Sequence, residues 1–145
     1  MSRVLLLASD KPLPFCDRQC ERTKTSVIAG ETFSVTALFG FRVFEHAYYR
    51  GAVEELNLEM KPHRYELELE ADEDDLAHFK AYLEENFSPG ETFELWNVWV
   101  GTDDLGHPTR YHGALADFDM ETLRQFLLPT HPDGGPGQCR MTVTV

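Results

Sequence analysis

Apolar and polar positions alternate most clearly between Tyr65 and Gly101, YELELEADEDDLAHFKAYLEENFSPGETFELWNVWVG. From Arg64 to Glu70, Tyr65, Leu67 and Leu69 fall on one side and Arg64, Glu66, Glu68 and Glu70 on the other, which predicts a strand with one buried and one wet face. Asp72 then stands at an N-cap position, with Asp75 three residues on and Glu73 and Asp74 suited to the positive end of a helix dipole. Leu76, Phe79, Leu83 and Phe87 follow at helical spacing, and Ser88-Pro89-Gly90 ends the helix and turns the chain. Phe93 to Val100 is a strand with two apolar faces, Trp96, Val98 and Val100 on one and Phe93, Leu95 and Trp99 on the other, where Asn97 is the polar exception.

The flanking sequence is read in the same way. Arg3 to Ala8 predicts a buried strand, halted by Pro12 and Pro14, and Ser9 to about Lys24 a loop. Thr25–Ile28 and Thr32–Phe39 flank Ala29-Gly30-Glu31 as a hairpin. Phe44, Ala47, Tyr48, Gly51 and Leu56 recur at helical spacing, so Val43 to Leu56 is expected to be a helix. After the turn at 102–108, Thr109 to Ala114 is expected to return antiparallel to the strand before it. Asp119 caps a second helix with Met120, Leu123, Phe126 and Leu127 on its buried face, HPDGGPGQ at 131–138 is a loop, and Cys139 to Val145 is a closing strand.

From residue 64 the order is βαββαβ, that of ferredoxin-like sandwiches, in which two helices pack on one face of a four-stranded antiparallel sheet. The expected fold is therefore α+β, a single domain over 1–145. Residues 1–62 supply an N-terminal strand, loop, hairpin and helix that pack on the 64–145 core. In that order Phe93–Val100 is an edge strand, and an edge so apolar must be covered, either by Arg3–Ala8 or by a second copy in a homodimer. The fold hosts many functions and implies none.

Charge narrows the partners. The net charge is −12, and residues 54–94 hold three Lys/Arg against fourteen Asp/Glu. Such a field disfavours nucleic acid and anionic membrane and favours a basic protein partner. Val4–Ala8 is too short for a signal-peptide core, no stretch reaches membrane-spanning length, and three cysteines without framework spacing fit free thiols, so a cytoplasmic protein is expected.

Chemistry is sparse. No Ser-His-Asp set, nucleophile elbow or phosphate-binding glycine loop occurs, and EADEDD lacks the central glycine and twelfth-position glutamate of a calcium loop. The leading expectation is a protein-binding or regulatory module without a cofactor, acting by binding rather than catalysis. The alternative is a small-molecule binder or enzyme on the helix-free sheet face, where Glu66, Glu68, Asn97, Trp99, Arg110 and His112 are the candidate residues around the platform of Trp99, Arg110 and His112. A lesser one is a zinc-stabilised domain through Cys16 and Cys20, completed by Cys139, His107, His112 or His131.

Overall fold

The structure, a computed structural model, describes residues 2–101, 108–130 and 137–145. It is a mixed α+β fold in which a seven-stranded sheet carries helices on both faces and a two-stranded hairpin stands apart. The large sheet comprises β1 (Ser2–Ser9), β2 (Cys16–Asp17), β5 (Arg42–Glu45), β6 (His63–Glu68), β7 (Thr92–Val100), β8 (Thr109–Ala114) and β9 (Cys139–Thr144). The hairpin is β3 (Cys20–Ile28) and β4 (Glu31–Phe39). Helices α1 (Arg50–Glu54), α2 (Glu73–Asn86) and α3 (Met120–Leu127) complete the described elements, with one 3-10 turn at Leu115–Asp117.

The strand order is β2-β5-β6-β1-β7-β9-β8. The βαββαβ succession from β6 onward is present, but a ferredoxin-like order is not: β1 lies between β6 and β7 and pairs antiparallel with both. The N-terminal strand, rather than a second copy, thus covers the apolar edge of β7. A second correction concerns β8, which pairs with β9, in parallel, instead of returning along β7. Once β1 and β9 hold the two edges of β7, no edge of that strand is left for β8.

Burial on both faces follows from β1 itself. Val4, Leu6 and Ala8 join Trp96, Val98 and Val100 on one face, where Val53 of α1 and the partly buried Leu56, Leu58 and Met60 cover them. On the other, Leu7 joins Leu67, Leu95 and Met141 beneath Phe79 and Leu83 of α2 and Leu123 and Phe126 of α3. Each fully buried side chain of this size contributes about 1.5–3 kcal/mol. The expected helix from Val43 to Leu56 shrinks to α1, because Arg42–Glu45 pairs with β6 and β2 as β5. Its buried Val43 serves strand alternation as well as helical spacing, and the open edge of β6 decides between them.

The helix caps form as the residues demand. Asp72 Oδ1 accepts from Asp75 N at 2.8 Å and Asp119 Oδ1 from Thr122 N at 2.9 Å. Asp75 is fully buried; its Oδ2 accepts from Glu70 N at 2.7 Å, two residues before the N-cap nitrogen that a standard capping box would use. Its other oxygen receives Arg22 Nη2 of β3 at 3.2 Å, and Arg22 Nη1 also reaches Asp72 at 2.9 Å. The cap of α2 is therefore also the anchor of the hairpin.

Two backbone positions shape that hairpin. Ala29 and Gly30 both take positive φ, 52° and 80°, the pattern of a type I′ turn, and alanine pays for it. Gly40, at φ 136°, lets β4 leave the hairpin past residues 18–19: a Cβ there would stand 2.9 Å from Arg18 O. Ala29→Asn should stabilise the hairpin by up to about 1 kcal/mol, whereas Gly40→Ala should cost about 1–3 kcal/mol. Amide hydrogen exchange of residues 20–39 and thermal unfolding measure both, and equal protection in the two variants would contradict this account.

Candidate functional site

The sheet face away from α2 and α3 is not one surface. Its middle is covered by α1 and the chain that follows, leaving an acidic end at β6 and a basic end at β8 and β9. Of the sequence-derived residues, Glu66 and Glu68 lie at the first, Arg110 and His112 at the second, and β1, β7 and β9 stand between them. Asn97 and Trp99 belong to neither, because they face α3. Asn97 Nδ2 donates to Phe126 O at 2.6 Å and to Leu127 O at 3.3 Å, while Arg3 Nη1 donates to Leu127 O at 2.6 Å and its guanidinium lies 5.0 Å from the Trp99 ring centre. These groups satisfy the terminal carbonyls of α3, which an apolar strand could not do.

At the acidic end, β1 and β6 separate. Their pairing stops at Leu6↔Glu66, although β1 continues to pair with β7 as far as Ser2. A cleft of about 530 Å³ opens between Val4, Leu5, Leu67 and Leu69, closed above by Leu38 and Phe39 at the hairpin root. Glu68 takes a 2.6 Å bond from Gln19, and Glu70 is paired with Lys24.

Glu66 is buried beside His46, a residue that no sequence motif marks. Glu66 Oε2 stands 3.5 Å from His46 Nδ1, yet neither ring nitrogen of His46 has a hydrogen-bond partner. Burial lowers the histidine's pKa from its ordinary value; Glu66 pulls it back up, and Arg64 and Arg50 push it further down. The ring is thus held neutral in a shallow polar hollow of about 230 Å³ that Arg50, Arg64, His63 and Glu54 also line.

The cysteines do not converge. Cys16 is on β2 and Cys139 on β9, with four strands between them in the sheet, and His112 lies on β8 beyond that. The Cys139 thiol is pushed up to about 12, chiefly by burial. His107 and His131 lie outside the described residues, and among those described no three metal-ligating side chains gather. No described helix is long and apolar enough to cross a membrane.

The third feature is the hairpin itself. β3 and β4 pair only with each other, and among the described residues five of the nine exposed large apolar side chains are on it: Val27, Ile28, Phe33, Val35 and Leu38. Only a long-range view of the chain reveals this, since the same alternation reads as an ordinary sheet strand. No protein-family model, curated protein or solved structure matches the chain.

The neutral, buried His46 gives a pH dependence with a definite sign. Its pKa is lowered on folding, so below the ordinary histidine value near 6.5 the unfolded chain takes up a proton that the native ring resists, and stability falls as pH falls. Thermal unfolding between neutral pH and about pH 5 should show this loss in the wild type and a smaller one in His46→Gln. Parallel curves for the two proteins would remove His46 as the cause.

Proposed function

We propose that this chain is a protein-binding module that engages a basic partner through the projecting β3–β4 hairpin. The observation that carries the reading is the exposure of Val27, Ile28, Phe33 and Val35, at 70%, 63%, 48% and 60%, on a hairpin whose two outer edges are unpaired. Apolar side chains concentrated on an open edge suit strand addition or insertion into a partner groove. In β4, Phe33, Val35, Ala37 and Phe39 share one face, opposite Ser26, Lys24, Arg22 and Cys20 of β3. The other face presents Thr23, Thr25, Thr32, Ser34 and Thr36, with Val27 and Leu38 as its apolar members.

Charge supports the choice of partner. The hairpin is formally neutral, with Glu21 and Glu31 against Arg22 and Lys24, while the whole chain carries −12. A partner held by the hairpin lies close to Glu68, Glu70 and Asp72 at its root, so a basic rim around an apolar groove gains from the field. A second copy brings the same negative body and is disfavoured for that reason.

The test compares capture from a lysate by the wild type and by the triple variant Ile28→Ser, Phe33→Ser, Val35→Ser, at low and at high salt. These side chains are exposed, so the variant should unfold like the parent apart from the hairpin. Proteins held by the wild type, lost by the variant and released by salt are the expected result. Identical capture by both would defeat the proposal, and so would a wild-type dimer in sedimentation that the triple variant dissociates.

A further inference from the structure

Arg110 and Arg140 are direct neighbours in the parallel ladder of β8 and β9, and Trp96 of β7 is the next residue in the same row, opposite Arg140. Like charges set side by side destabilise a ladder. The chain has 25 acidic residues with which to neutralise them, yet among the described residues neither arginine side chain has an ion-pair or hydrogen-bond partner. The Arg140 guanidinium leans over the Trp96 ring, 5.5 Å from its centre, and its buried Nε has no acceptor. A buried N–H left without an acceptor is costly.

Beside the pair lies a pocket of about 210 Å³ lined by the two arginines, Trp96, Pro108 and the Asn57–Glu59 segment. Two guanidiniums offer planar donor forks matched to tetrahedral or carboxylate oxygens. Trp96 and Leu58 supply an apolar wall that holds Arg140 in place and strengthens its field. Glu59 also lines the pocket, leaving a formal charge of about +1, which suits a small anion and not an extended one. The negative charge of the rest of the molecule excludes a polyanion from the same place.

We propose that this pocket binds a small oxyanion of the phosphate class, free or as a phosphate monoester, between Arg110 and Arg140. Arg110, exposed on β8, captures the anion; Arg140, fixed on Trp96, donates from its terminal guanidinium nitrogens. The site is independent of the hairpin and is separated from its anchor by the width of the sheet.

The experiment measures thermal stability and calorimetric binding of the full chain with inorganic phosphate and with phosphoserine, using chloride at matched ionic strength as the control. A saturable rise with either phosphate compound is expected, greater with phosphoserine if a monoester is the natural occupant and equal or greater with phosphate if the free ion is. Arg110→Gln should weaken binding by about tenfold or more without lowering the melting temperature of the unliganded protein, because it also relieves the arginine repulsion. Arg140→Gln should weaken binding similarly, and Glu59→Gln should tighten it. A response no larger than that to chloride, or one unchanged in Arg110→Gln, would overturn the assignment.

Discussion

The fold depends on a strand that is apolar on both sides. β1 carries Val4, Leu6 and Ala8 toward one face and Leu5 and Leu7 toward the other, so it can be stable only in the middle of a sheet with both faces covered. Placing it there separates β6 from β7 and requires α1 to cover the face that α2 and α3 leave open. It also explains the cleft. β1 pairs with β7 from Ser2 to Ala8 but with β6 only as far as Glu66, while β6 stays paired with β5 to Glu68. The opening beside the hairpin root is a consequence of one strand having two neighbours that diverge.

The same strand marks where sequence reading succeeds. Alternation at Tyr65–Leu69, the cap at Asp72, the stripe Leu76, Phe79, Leu83 and Phe87 and the stop at Pro89 are local signals, and both elements form there, the strand ending at Glu68 and the helix at Asn86. The need to cover Phe93–Val100 was also legible, since both its faces are apolar. Which of those faces meets α3 was not: period two fixes two sets of residues, not their direction. Asn97 settles it by bonding the carbonyls of Phe126 and Leu127, which takes with it Trp99, the intended platform of a binding face. The parallel partner of β8 was hidden for a related reason, because pairing across a long connection has no local signature.

The acidic run before α2 has a structural role. Asp72, Asp75 and Glu70 all engage Arg22 or Lys24, so the segment that looks like a metal loop in the sequence clamps the hairpin to the body. A buried carboxylate such as Asp75 is tolerated only because a backbone N–H and a guanidinium occupy both its oxygens. The exposed apolar hairpin is thereby held by charge at its root instead of by packing along its length, leaving Ile28, Phe33 and Val35 free of the body.

Of the six residues proposed from sequence, only Arg110 and His112 fall at the basic end, and what gives Arg110 meaning was not in that set. Arg140 lies on the closing strand and has no evident partner in sequence until the β8–β9 register sets it opposite Arg110. The significance of the pair comes from contrast. Several other arginines of this acidic chain engage carboxylates or carbonyls, as Arg22, Arg50, Arg3 and Arg64 show. Two that are adjacent, mutually repelling and unpaired beside a pocket are a cost the fold does not require, since glutamine at either position would close the same ladder. A cost without a structural return is the ground on which the anion site is proposed.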